Sequence, residues 1–199
     1  MNDTKRAFEA TLKRLQLDYL DMYLIHWPSA GYVEKWRALE DLYEAGLIKA
    51  IGVSNFEKPH LDKLLATAKV VPAVDQIETH PYFQQAELHD LLAKLDIRHE
   101  AWGPLGQGKS DVLTNPVLVQ IAKAHHKSVA QVILRWHLQR GIIVIPKSVH
   151  AERIQQNMAV FDFDLTPAEM SVIATLDKNQ RGSSDPQDAE WLARATTME

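Results

Sequence analysis

The sequence predicts an α/β fold in which five parallel strands are covered by helices. Two observations predict it. Short apolar runs alternate with longer stretches of helical periodicity from end to end, and each run is followed by at least one helix before the next begins. With 199 residues, 46% of them hydrophobic, the chain can bury a sizeable core, and no linker, low-complexity tract or repeat divides it. Residues 1–199 are therefore expected to form a single domain.

Each element carries its own signal. Phe8, Leu12 and Leu15 lie on one face of a helix over residues 4–15, and residues 19–25 are an apolar run broken only by Asp21. Trp36, Leu39 and Tyr43 share a face of the helix at 33–45, which Gly46 stops in a left-handed position. A strand at 47–53, a helix at 59–67, a strand at 70–77, a helix at 85–95 and a strand at 97–102 follow. Two helices fill the next, longer connection. Asn115-Pro116 starts the first; Ser128 and Gln131 form the capping box of the second, which ends at Gly141. The last strand, 142–145, is the most hydrophobic; a helix over 150–160 follows, and Thr166 and Glu169 cap another. From Lys178 onward the sequence reads as irregular.

Composition narrows the function. A net charge of -4 and a pI near 6.1 give no footprint for nucleic acid, and the absence of cysteine excludes disulfides, thiolate metal sites and cysteine nucleophiles. No apolar run reaches membrane-spanning length, and the N-terminus has no signal core. A soluble, cytoplasmic protein is expected. None of the nine histidines stands at metal-ligand spacing, so no metal is expected.

Chemistry collects where the strands end. The first ends in His26-Trp27-Pro28, the second in Ser54-Asn55, the third in Gln76 and Glu78, the fourth in Trp102 and the fifth in Lys147-Ser148. Ends of parallel strands share one face, where ligands bind, in a doubly wound sheet and a barrel alike. Periodicity does not separate the two, although the absence of G-x-G-x-x-G between a strand and a helix weakens the dinucleotide-fold alternative. An imidazole, an amide beside a hydroxyl, an indole and a cation beside a hydroxyl suit a ligand with an aromatic ring, an amide and a phosphate. A nicotinamide dinucleotide has all three. Lys147, Ser148 and Arg153 surround a helix start that itself favours phosphate. Duller roles exist for each residue: His26 as a core histidine, Ser54-Asn55 as a helix cap, Trp102 as a core indole, Gln76 as a structural hydrogen-bonder, Lys147 and Arg153 as a solvated basic face.

These motifs resemble the aldo-keto reductase family, particularly its bacterial 2,5-diketo-gluconate reductase-like members. Residues 17–28 (LDYLDMYLIHWP) look like the signature leading into the fourth barrel strand. GVSNF at 52–56, QIETHP at 76–81, AWGPLGQG at 101–108 and IPKS at 145–148 with Arg153 and Asn157 follow in the family's order. The resemblance implies a partial (β/α)8 TIM barrel and an NADP(H)-dependent oxidoreductase that reduces small aldehydes or ketones. It implies that Ser54, Asn55 and Gln76 hold the nicotinamide carboxamide and that Trp102 stacks on the ring. Gly103, Pro104, Leu105 and Gly106 would line the pyrophosphate, Lys147, Ser148, Val149 and Arg153 the 2′-phosphate, and Gln156 and Asn157 the adenine side. His26 would orient the substrate carbonyl as the catalytic residue, with Trp27 walling the pocket.

Three departures stand out. Asp75 replaces the Asn usual before the Gln, and Gln156 an often-found Glu. The third concerns catalysis: the family's proton-donor tyrosine, its lysine and its aspartate belong to the first three βα units, whereas this sequence begins at the helix before the fourth strand. None of the five tyrosines lies in the proton-donor motif. The expectation is a span incompetent alone, truncated or split from the first three units, that self-associates or pairs with a complementing chain through open strand edges. The alternatives are a non-catalytic NADP-binding partial barrel or an assembly subunit.

Overall fold

The computed structural model describes residues 2–195. Strands β1 (Leu20–Ile25), β2 (Ile48–Ser54), β3 (Val74–Glu78), β4 (Arg98–Trp102) and β5 (Ile143–Val144) form a sheet in chain order, parallel in every registered pair. One helix precedes β1, and helices follow every strand as expected. They are α1 (Asn2–Leu15), α2 (Tyr32–Glu44), α3 (Lys58–Leu65), α4 (Ala86–Lys94), α5 (Pro116–Ala124), α6 (Val129–Gln139), α7 (Ala151–Met158), α8 (Pro167–Ala174) and α9 (Ala189–Ala195). The residues group into two compact units. One comprises Met1–Gln76, Asp90–Arg98 and Ser184–Glu199, the other Ile77–His89 and His99–Ser183. Strands β3 and β4 run from the first unit into the second.

In the first unit β2 lies between β1 and β3, with Ile25 opposite Val53, Val53 opposite Asp75 and Ser54 opposite Gln76. Gly52 makes this spacing possible. A Cβ there would come within 2.5 Å of Leu24 Cδ2 and 2.8 Å of the Val74 carbonyl oxygen, so no side chain fits. Trp36 and Leu39 of α2 are buried, as are Ile48, Ile51 and Val53 of β2. Helix α2 ends as its sequence requires: Gly46 takes φ 73°, its N–H donates to the Tyr43 carbonyl and that of Leu47 to Leu42. The buried Glu40 carboxylate accepts from the Lys69 and Val70 amides (2.6 and 2.9 Å), holding the loop that leads to β3.

In the second unit the Thr79 amide donates to the Trp102 carbonyl, and Glu100 and Ala101 pair with Ile143 and Val144. Tyr82, Leu118, Ile121, Val132, Ile133, Trp136, Leu165 and Ile173 form its apolar core. The expected caps are present: Asn115 accepts from Val117 and Leu118, and Ser128–Gln131 and Thr166–Glu169 close reciprocal boxes. His137, fully buried, sets Nε2 against the Thr79 carbonyl and Nδ1 against Ile133; burial pushes its pKa down to about 4.

Two expected strands are shorter than their apolar runs. β3 starts at Val74 because Pro72 lacks the N–H a ladder needs, and Val71 is left exposed. β5 stops at Val144, two residues before Pro146, which has no N–H to continue the ladder. The irregular tail expected from Lys178 needs correction. It is irregular to residue 188, then forms α9, whose Trp191 amide is capped by the Asp188 carboxylate. Residues 196–199 of that tail lie outside the described residues.

Candidate functional site

In the first unit the ends of β1, β2 and β3 come together. β2 ends at Ser54, and the chain turns at Asn55, whose φ of 63° is left-handed, a conformation asparagine tolerates better than most residues. Both side chains are buried. Ser54 Oγ donates to the Gln76 carbonyl oxygen at 2.7 Å, and the Asn55 amide N–H reaches the same oxygen at 2.9 Å. Asn55 Nδ2 donates to the His26 carbonyl at 3.0 Å and to Ser54 Oγ at 3.1 Å. Asn55, through its side chain and its backbone amide together, thus ties three strand ends. The helix-cap alternative for Ser54 and Asn55 does not hold. The cap of α3 is Glu57, in a reciprocal box with His60.

Around this knot stand a hydroxyl, two carboxamides and the His26 imidazole. A nicotinamide carboxamide, with one acceptor and one NH2 group, matches such a set. His26 is exposed and Trp27 half-buried, and both line a cavity of about 330 Å³ with Thr4, Tyr23 and Lys35. Trp27 also meets Trp191 of α9 edge to face at 4.4 Å, a pairing across more than 160 residues that local sequence does not signal.

Asp75, beside Val53, is fully buried. Its Oδ1 accepts from the Phe56 amide at 3.4 Å; Oδ2 has no partner among the described residues. Burial pushes its pKa well up, and the nearby Glu57 carboxylate adds to the rise.

The second unit holds the other candidates. Trp102 ends β4 half-buried, so the core-indole role does not describe it. Gly103 and Gly106 take φ of 60° and 72°, the Gly106 amide closes a turn onto the Gly103 carbonyl, and Pro104 and Leu105 lie between. A Cβ on Gly106 would meet Ser110 Oγ at 2.9 Å. Lys147 and Val149 are exposed, and Ser148 Oγ accepts from the His150 amide just before α7. Arg153 and Gln156 stand exposed on α7, Gln156 donating to Glu152 at 3.3 Å, with Asn157 half-buried. Helix α7 has no side-chain cap bond at His150, leaving its first amides to other acceptors.

A catch that sequence reading missed lies in the same unit. The buried Glu78 carboxylate accepts from the Gly182 amide (2.8 Å), Ser183 Oγ (2.6 Å) and His80 Nε2 (3.1 Å). Burial opposes its charge, but these bonds outweigh it and lower the pKa. Lys109 Nζ donates to the Gly182 carbonyl, so the strap at 177–183 is held from two sides. Glu78 was visible as a strand-end acid; its donors Gly182 and Ser183, about a hundred residues away, were not. Among the described residues no group of three or more potential metal ligands assembles, and no helix is long and apolar enough to cross a membrane.

The family model for "Aldo/keto reductase family" matches residues 2–178. The chain belongs to the aldo-keto reductase family. It is 52% identical over 186 residues to glyoxal reductase of Bacillus subtilis, covering 93% of this chain and 67% of that protein. Against methylglyoxal reductase DkgA of Yersinia pestis the identity is 45% over 189 residues, covering 94% and 68%. A crystal structure of a Gox0644 variant in complex with NADPH superposes with a TM-score of 0.89 at 46% identity, covering 94% of this chain and 69% of that one. The expected fold, five parallel strands with flanking helices as part of a barrel, agrees with these aldo-keto reductase structures.

Proposed function

We propose that this chain supplies the cofactor-holding part of an NADP(H)-dependent reductase that converts small aldehydes and ketones to alcohols. The observation that carries the reading is the knot in which Ser54 and Asn55 bond the Gln76 and His26 carbonyls, a set of donors and acceptors at the ends of three adjacent strands. The similarity to a glyoxal reductase, a methylglyoxal reductase and an NADPH-bound structure supports it. In this reading Ser54, Asn55 and Gln76 grip the carboxamide and Trp102 stacks on the ring. Gly103 to Gly106 line the pyrophosphate. Lys147, Ser148, Val149 and Arg153 take the 2′-phosphate at the uncapped start of α7, and Gln156 and Asn157 face the adenine. When bound, NADPH supplies a hydride to the carbonyl carbon. His26 orients the carbonyl and Trp27 shapes the cavity beside it. The location is cytoplasmic, and residues 1–199 behave as a single domain.

The developing alkoxide needs a proton donor. No tyrosine here stands in the family's proton-donor motif, so this span alone binds cofactor and turns over only when aspartate, tyrosine and lysine come from a complementing segment. NADPH fluorescence titration with a methylglyoxal-dependent oxidation assay tests both halves. Binding without turnover is expected; absence of binding sinks the cofactor reading, and robust turnover sinks the need for a complement.

One observation favours a second reading, an assembly subunit. Among the described residues β1 and β5 each have a single strand neighbour, and Met22 and Ile143 on them are about 40% exposed. Such a subunit would associate through those edges and leave NADPH unbound, which the same titration detects.

A further inference from the structure

We propose that Asp75 is a positioning residue for the carboxamide-holding turn: its buried carboxyl group fixes the Phe56 amide and so keeps Asn55 in the left-handed conformation that presents it. This rests on the cofactor reading above. It assigns a task to a buried acid that no part of that reading uses.

The argument starts from the amides of the turn. After Ser54 the chain leaves the β2 ladder, and three successive N–H groups must each find an acceptor in a buried setting. That of Asn55 takes the Gln76 carbonyl at 2.9 Å. That of Glu57 takes His60 Nδ1 at 3.1 Å, within the α3 capping box. Between them, Phe56 N–H finds no backbone acceptor among the described residues; it takes Asp75 Oδ1 at 3.4 Å. The Phe56 side chain is fully buried, so water offers no ready substitute. Asp75 therefore closes the one gap in a row of fixed amides, and that row sets the direction in which Asn55 leaves the sheet.

Asp75 suits the task as an uncharged acid. It is 0% exposed; among the described residues the charged group that acts on it is Glu57, another acid. A carboxylate there would carry a buried, unpaired charge, whereas the protonated form presents a carbonyl-type acceptor to Phe56. Only the acceptor is needed. A carboxamide of the same shape should replace it, and an apolar isostere should not.

Two ligands read the effect separately. NADPH engages the nicotinamide turn; 2′,5′-ADP carries the adenosine and its 2′-phosphate but no nicotinamide. For Asp75→Leu, NADPH affinity is expected to fall about tenfold, in line with one unsatisfied buried amide. Affinity for 2′,5′-ADP should stay within twofold, and Asp75→Asn should restore NADPH binding. Amide hydrogen exchange supplies a ligand-free readout: Phe56 N–H should exchange at least tenfold faster in Asp75→Leu than in wild type or Asp75→Asn. Equal NADPH affinity in wild type and Asp75→Leu overturns the proposal, as does parallel loss of both ligands in a folded variant. If Asp75→Leu fails to fold, Asp75→Asn decides through exchange: an unprotected Phe56 amide there also overturns it. A wild-type chain that binds neither ligand contradicts the cofactor reading instead, while protection of Phe56 still reports on the turn.

Discussion

A fully buried acid and a strand glycine make opposite demands on a substitution. At Asp75 the folded chain holds its proton more tightly than the unfolded chain, because burial raises the pKa well above 3.8. Between that value and the raised one the native state binds more protons, so stability is full at acid pH and declines as pH rises through the folded pKa. Asp75→Asn removes this decline. Its melting temperature should exceed that of wild type at pH 7, and the gap should close toward pH 4, measured by thermal denaturation across pH. Gly52 behaves in reverse. A methyl group there meets the Leu24 side chain and the Val74 carbonyl oxygen, and backbone does not yield easily. Gly52→Ala should cost about 1–3 kcal/mol, readable as a lowered urea midpoint. GVSNF marked both Gly52 and the Ser54–Asn55 pair in the sequence, but the meaning of Asp75 was hidden. It stood as an irregular letter beside Gln76, and only register opposite Val53 reveals that its carboxyl lies under the Phe56 amide.

At the level of elements, local chemistry was legible and distant pairing was not. Gly46, Asn115-Pro116, Ser128–Gln131 and Thr166–Glu169 announced helix ends through bonds made within a few residues, and each forms. Strand lengths were overread at Val70 and Ile145 because the apolar runs outlast the ladders that stop beside Pro72 and Pro146. The strap at 177–183 gave no local sign, since its binding partner Glu78 lies so far back in the chain. The strap should respond to acid. Glu78 has a lowered pKa, so its contribution is present above about the ordinary carboxylate value of 4.5 and lost as pH falls through the folded one. Hydrogen exchange at Gly182 should therefore accelerate below that range. Gly182→Ala, whose Cβ would sit 2.8 Å from Glu78 Oε1, should accelerate it already at pH 7.

For the whole molecule, five parallel strands with covering helices followed from alternation alone, while the choice of a barrel came from family resemblance. The division into two units was not foreseen, because hydrophobic periodicity reports which residues are buried and not which core they join. The exposed edges of β1 and β5 bear on association. If they pair between copies, Met22→Lys should place a charge on the β1 edge and shift sedimentation toward monomer at micromolar concentration.

The path of the backbone has its own implication for synthesis. It passes between the two units four times, after residues 76, 89, 98 and 183. Neither unit is therefore a contiguous stretch that a protease or a gene fragment could release intact. As the polypeptide emerges from the ribosome, the second unit has all its residues at position 183, while the first still awaits α9 and the indole that meets Trp27. The portion that begins first is the last to be completed.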